Sequence, residues 1–169
     1  MHEHGVNDVT FSEDEKLVAT VGNVVDKQII VWDMSNGMIV ANKYAAPDPT
    51  DHVTFGSYEK DVKKRSTGNY CLVAAGANSL RRWVLNPMSG DFSSEGISLG
   101  AQVRDYTDIQ FSPGGDFFYA ASTTGNICGL RQHVPLTLST STLYCADSCL
   151  MIPPVFSWYC LCILRRFSL

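Results

Sequence analysis

The side chains able to carry chemistry are four histidines, six cysteines and seventeen carboxylates. The histidines are His2, His4, His52 and His133. None forms a His-x-x-x-His or Glu-x-x-His pair, the spacings that put two ligands on one side of a helix. Cys128, His133, Cys145 and Cys149 can be written as a zinc set. Their spacing fits no standard finger, so unpaired thiols are the expectation. No nucleophile elbow, phosphate loop or dinucleotide fingerprint is present. Ser112-Pro113-Gly114-Gly115 is glycine-rich, but no helical pattern follows to aim amides at a phosphate, and it reads as a turn. Asp14, Glu15, Asp105 and Asp108 read as turn residues that satisfy backbone donors rather than move protons. The expectation is a chain with no catalytic residue, no cofactor and no metal: not an enzyme.

The bulk numbers narrow the class. The chain has 169 residues, 45% hydrophobic and 18% charged, enough for a globular core. Its formal net charge is -4. No basic stripe appears, so a nucleic-acid partner is not expected. Lys63-Lys64-Arg65 reads as a solvated loop. The opening Met1 to Gly5 is polar and unlike a secretory signal. Cys71 and Cys128 sit in apolar runs where buried thiols are common. Reduced cysteines and a cytosolic setting follow as expectations. The apolar stretch from Leu150 to Leu164 is too short for a span of about 20 residues and contains Pro153-Pro154, so no membrane role is expected.

What must position any site is a set of strands. Val6 to Ser12 alternates and sets Val9 and Phe11 on one face. A polar turn at 12–15 leads to the β-rich run Lys16 to Val21. A second turn follows, then the apolar run Ile29-Ile30-Val31-Trp32, stopped by Asp33. Ser35-Asn36-Gly37 supplies a tight turn into Met38 to Lys43. Four strands in about forty residues is the size of one propeller blade. The pattern recurs at His52 to Ser57, Tyr70 to Gly76 and Ser79 to Leu85. It opens a third time at Thr107 to Pro113, Phe117 to Ser122 and Ile127 to Leu130. Phe11, Phe55 and Phe111 stand 44 and 56 residues apart, against a blade period of roughly 40–45. Loop insertions at Ser57 to Asn69 and Asn86 to Arg104 account for the longer intervals.

One four-stranded sheet cannot cover its own apolar faces, and radial stacking of blades buries both. The small stretches Val18-Ala19-Thr20 and Ala74-Ala75-Gly76 are therefore expected on the inner strand of each blade. Trp32 and Trp83 are expected to wedge between blades.

Phe11 to Thr20, followed by Ile30-Val31-Trp32-Asp33, resembles a WD40 repeat. A closer likeness is to the cilia- and flagella-associated WD-repeat proteins. It is carried by the turn Gly22 to Lys27 before QIIVWD, by Val73 to Trp83, and by Asp116 to Ile127 with its FFY and TTG elements. The resemblance covers about residues 1 to 131. It implies a structural, non-enzymatic protein of motile cilia and flagella, inside axonemal doublet microtubules, with tubulin and inner-junction proteins as partners. The alternative is a general cytoplasmic WD-repeat adaptor for complex assembly. The resemblance also implies a buried His–Ser–Asp–Trp network. Here the Gly-His dipeptide is replaced by His4-Gly5 in reverse order, and Asp26 is the candidate turn aspartate. Trp83 is followed by Val84, and Gly129-Leu130-Arg131 stands where the third Trp-Asp belongs.

The expected fold is all-β: a partial WD40 β-propeller of about three four-stranded antiparallel blades, at approximately 1–43, 51–98 and 104–131. Phe11, Trp32, Asp33, Phe55, Trp83 and Phe111 are its structural repeat positions. Residues 132–169 match no blade template and are expected to form an irregular tail from truncation or mis-splicing. Three blades are too few to close a ring, so exposed apolar faces and association are expected.

Overall fold

A computed structural model describes residues 1–45, 49–61, 63, 65–97, 105–131 and 144–146. The elements are β1 (Val6–Phe11), β2 (Leu17–Gly22), β3 (Gln28–Asp33), β4 (Ile39–Tyr44), β5 (His52–Lys60), β6 (Ser66–Gly76), β7 (Ser79–Leu85), β8 (Phe92–Gly96), β9 (Tyr106–Phe111), β10 (Phe117–Ser122), β11 (Ile127–Arg131) and β12 (Tyr144–Ala146). No helix occurs among the described residues. Three antiparallel sheets form, ordered β1-β2-β3-β4, β5-β6-β7-β8 and β9-β10-β11-β12. They are the three four-stranded blades, and the outer strand of the third comes from 144–146, inside the segment read as tail. Two loop readings are corrected. Residues 92–96 pair as β8, and 57–69 largely prolong the β5–β6 hairpin, with Tyr58 facing Tyr70 and Lys60 facing Ser66.

Local chemistry sets the turns. The Leu17 amide donates to Ser12 Oγ at 2.9 Å, and the Phe117 amide to Ser112 Oγ at 3.2 Å. Both turns need one left-handed residue, supplied by Gly115 at φ 68° in the third blade and by Glu15 at φ 58° in the first. A side chain costs about 1–2 kcal/mol in that region. Glu15 is tolerated because it is exposed; at Gly115 a Cβ would collide with the Ser57 side chain.

Register makes the blades equivalent. One row runs Phe11–Val18–Trp32–Ile39. Its counterparts are Phe55–Leu72–Trp83–Ser94 and Phe111–Phe118–Leu130. The three phenylalanines thus hold one structural position. The second blade's row packs back onto Leu17, Ala19, Val21, Ile29 and Val31 of the first. The third blade's row packs back onto Val73, Ala75 and Leu80 of the second. Burying such aliphatic and aromatic side chains contributes about 1.5–3 kcal/mol each, which makes these seams the main stabilising contacts.

The rows differ in exposure. Phe55 is 8% exposed and Trp83 3%, but Phe11 is 56% exposed. The wedge expected of Trp32 is corrected: it is half-buried and not set between described blades. The reason is placement: the row faces backward in every blade, and no described blade precedes the first. The inner strands are also reassigned. Val18–Thr20 and Ala74–Gly76 lie on second strands, while β1, β5 and β9 run next to one another. The Val53 amide of β5 donates to Asp8 Oδ2 of β1 at 3.0 Å, and the Phe55 amide to Thr10 Oγ1 at 3.3 Å.

Gly56 is one point where the second and third blades meet closely. A Cβ there would sit 2.5 Å from the Phe111 ring, itself stacked 5.6 Å from Phe118. Gly56→Ala should lower stability by about 1–3 kcal/mol through overpacking, read as a lower midpoint in urea unfolding. An unchanged midpoint would show that the seam is slack.

Candidate functional site

The densest polar constellation closes the first blade. Thr20 stands on β2 and Trp32 on β3, diagonal neighbours on one face. The Trp32 indole N–H donates to Thr20 Oγ1 at 3.0 Å. His2 Nε2 lies 2.9 Å from the same hydroxyl. The His2 side chain is 6% exposed, and its Nδ1 stands 4.0 Å from Asp26 Oδ2 with no hydrogen-bond partner. The Thr20 hydroxyl also donates to the Ile30 carbonyl oxygen at 3.3 Å, so one oxygen gathers Trp32, His2 and the β3 backbone, with Asp26 beyond His2. The first blade thus holds a His–Thr–Trp cluster with Asp26 beside it, the counterpart of the network that the resemblance implies, with threonine in place of serine and His2 as its histidine.

Asp26 is the hub of the turn. It accepts from His4 Nδ1 at 2.9 Å, from the His4 amide at 3.0 Å and from the Glu3 amide at 3.3 Å. The His4 imidazole bond does most to hold its carboxyl down, to about 2, against the opposing pull of burial and with help from the two amides. Burial pushes the His2 imidazole below its ordinary value, outweighing the attraction of Asp26. Gly22 makes the seat possible: a Cβ there would lie 2.5 Å from His2 Nδ1 and 2.7 Å from Asp26 Cβ.

The other two blades lack this network for a readable reason. Ala74 and Ala120 occupy the register position of Thr20. Trp83 consequently has a buried indole N–H without a partner, and packs instead on Phe92 at 4.7 Å between ring centroids. Leu130 replaces the tryptophan altogether. Asp33, read as the end of the Trp-Asp pair, caps its own turn: it accepts from the Ser35 amide at 2.7 Å and the Ser35 hydroxyl at 2.6 Å.

Polar clamps join the blades outside the core. Asp14 accepts from Tyr70 at 2.8 Å and Tyr58 at 3.0 Å, both in the second blade, and from Ser12 at 2.7 Å. Burial pulls the Asp14 carboxyl upward, but these hydroxyls and the Lys16 amide together hold it well below the carboxylate range. Lys60 reaches the third blade at Asp116, 2.9 Å away. Of the carboxylates read as turn residues, Asp14 and Asp105 do serve donors, whereas Asp108 lies within β9 and accepts from the Ile109 amide. A groove of about 460 Å³ between the first two blades is lined by Leu17, Met34, Val40, Tyr70 and Pro87, with Glu15, Lys16, Asp33 and Ser35. Its Asp33 is already engaged. The arrangement fixes geometry: even the His4–Asp26 pair ties the amino-terminal residues to the β2–β3 turn. Cys71 and Cys128 are fully buried; the partners written with Cys128 as a zinc set, His133, Cys145 and Cys149, lie outside the residues whose side chains are described.

Sequence reasoning missed the role of His2 because it sought the histidine beside a glycine. The usable signal was Thr20, twelve residues before Trp32, which only the first repeat carries.

Comparisons with known proteins agree with that division. Residues 1–33 match the family described as WD domain, G-beta repeat, the span that holds the whole network. The chain is 21% identical over 127 residues to "Cilia- and flagella-associated protein 52" of Chlamydomonas reinhardtii, covering 75% of this chain and 19% of that protein. It therefore spans about a fifth of that relative's length. A chain of the solved "Crystal Structure of Mitotic Checkpoint Complex" superposes with a TM-score of 0.58 at 20% identity, over 75% of this chain and 36% of that one. That likeness speaks for the fold alone. The chain carries a WD40 repeat and has, in part, the fold of a WD40 propeller, which is typically a non-catalytic platform for protein partners.

Two expected outcomes follow. Ala74→Ser should place a hydroxyl within reach of the Trp83 indole and raise stability by about 1 kcal/mol, whereas Thr20→Ala should lower it by about 1–3 kcal/mol by orphaning the Trp32 indole; urea unfolding measures both. Stability should also rise with pH on the acid side. His2 is favoured neutral in the fold, so its contribution is full above the ordinary imidazole value, about 6.5, and declines below it. Asp26 contributes above the ordinary carboxylate value, about 4, and loses that as pH falls through about 2. His2→Gln should flatten the upper limb of the pH–stability curve and Asp26→Asn the lower. Unaltered slopes would contradict the assignment.

Proposed function

We propose that this WD-repeat chain is a non-enzymatic structural protein of motile cilia and flagella that associates with tubulin and other luminal proteins of doublet microtubules. The observation that carries the reading is the similarity to a cilia- and flagella-associated protein across three quarters of the chain, far more than the WD-matched first 33 residues. The physics of the site is consistent with it. The described polar groups are spent on closing turns and clamping blades, as with Asp14, Asp26 and Asp33, and rigidity is what a docking platform requires. Binding falls to the loops at the blade ends, where side chains are not committed to the core.

The experiment is fractionation of ciliated cells expressing the tagged chain. It should remain with doublet microtubules after high-salt extraction, and purified chain should co-sediment with polymerised tubulin. Recovery in the soluble matrix together with absence from tubulin pellets would overturn the reading and leave the general cytoplasmic adaptor.

A further inference from the structure

The groove between the first two blades is a built feature that the interblade contacts leave open. Its floor is Leu17 and Val40 of the first blade and Tyr70 and Pro87 of the second. Leu17 is 5% exposed and Tyr70 8%. Tyr70 is fixed by its bond to Asp14 and by the Phe55 ring, 6.1 Å away. The β7–β8 turn packs against Val40: a Cβ at Gly90 would lie 3.2 Å from the Val40 carbonyl oxygen. The floor is therefore set before anything binds. Its volume of about 460 Å³ is that of an ordinary ligand cleft, roughly 300–1,000 Å³.

Two properties define what fits it. The first is a set of exposed thioethers. Met34 lines the groove and is 49% exposed. Met38, from the same turn, is 67% exposed, and Met88, next to Pro87 on the facing blade, 94%. Methionine is flexible and polarizable, and adapts to apolar partners of varied shape. The second property is charge. The lining holds Glu15 and Asp33 against Lys16, and Lys16 is engaged by Asp14 at 3.3 Å. Glu15 makes no ion pair among the described residues. The donors to Asp33 are uncharged: the Ser35 hydroxyl and amide, and the Asn36 side-chain amide at 3.3 Å. Led by the Ser35 hydroxyl, they hold its carboxyl below the ordinary value, so it stays ionised. Two carboxylates thus line the groove without a cation of their own.

A ligand that answers both properties is apolar at its centre and cationic at its edges. We infer that the groove is a docking site for a short basic segment of a partner protein. An aliphatic anchor of that segment lies on the floor among the methionines, and flanking arginines meet Glu15 and Asp33. Arginine suits the site because its stem covers apolar surface while its guanidinium pairs with a carboxylate through two bonds. The inference stands apart from the ciliary reading, since it concerns the chemistry of a segment and not where the chain resides.

Fluorescence anisotropy of fluorescein-labelled Arg-Leu-Arg-Arg-Leu-Arg amide, titrated with the whole chain, tests this. Saturable binding that weakens as salt rises is expected. Glu-Leu-Glu-Glu-Leu-Glu and Arg-Gly-Arg-Arg-Gly-Arg amides should each bind about tenfold more weakly or worse, the first for lack of charge complementarity and the second for lack of an anchor. Glu15→Lys should weaken binding about fivefold, by removing a surface ion pair and adding a repulsion. Glu3→Lys makes the same change of charge at an exposed site beside the β2–β3 turn, the opposite end of the first blade, and should leave binding unchanged. In nitrogen-15 spectra of the unaltered chain, the peptide should shift the amides of Met34 and Val40 on one wall and Tyr70 on the other. Far-UV circular dichroism identifies a variant that has lost its strands, in which case the spectra of the unaltered chain decide. Absence of saturation, equal binding of either control peptide, an equal loss from Glu3→Lys, or shifts confined to other residues would overturn the inference.

Discussion

A four-stranded blade is apolar on both faces, and water tolerates neither. Every other feature of this chain follows from how that constraint is met. The second blade lays Phe55, Leu72 and Trp83 on the aliphatic side of the first, and the third lays Phe118, Ala120 and Leu130 on the second. Each seam joins a row of large rings to a row of small aliphatics. The asymmetry gives the stack a direction, and the direction explains why equivalent phenylalanines differ in exposure.

Polar groups hold what packing has placed. Asp8, Thr10 and Asp14 reach from the first blade to amides and hydroxyls of the second. Within the first blade, His2, Thr20, Trp32 and Asp26 tie the amino-terminal residues to the β2–β3 turn. The net worth of each such bond is modest, about 0.5–1.5 kcal/mol. Their role is to fix register and angle, since a sheet face of aliphatic side chains resists sliding only weakly. The second blade shows that the network is dispensable: Trp83 lacks its partner and is nonetheless 3% exposed, held by area.

Much of this was legible in the residues. β-rich runs bounded by polar turns located β1, β2, β9 and β10 to within two residues, and in β2 the alternation matches the burial, with Leu17, Ala19 and Val21 inside. The recurrence of Phe, the Val-Ala-rich second strand and the Trp-bearing third strand gave the blade count. What could not be read were the features set by tertiary neighbours. Phe11 and Phe55 are the same residue type in the same local pattern, and only the presence of a preceding blade separates 56% exposure from 8%. The β5–β6 extension looked like a loop because its residues are polar, yet a two-stranded hairpin projecting from a sheet is solvated on both sides and needs no apolar alternation. The histidine of the network, His2, was not picked out because its identity depends on how the chain enters the sheet, not on an adjacent glycine. As a candidate site the sequence offered structural positions only, and the geometry adds interblade clamps rather than catalytic groups.

The dependence of one blade on the next is the claim on which the rest stands, and native-state hydrogen exchange on a Leu72→Ala variant tests it most directly. Leu72 belongs to the second blade, but its side chain is part of the core shared with Ala19 and Val31 of the first. The account predicts that amide protection in β2 and β3 falls together with that in β6. Undiminished protection of the first blade, with loss confined to the second, would contradict it.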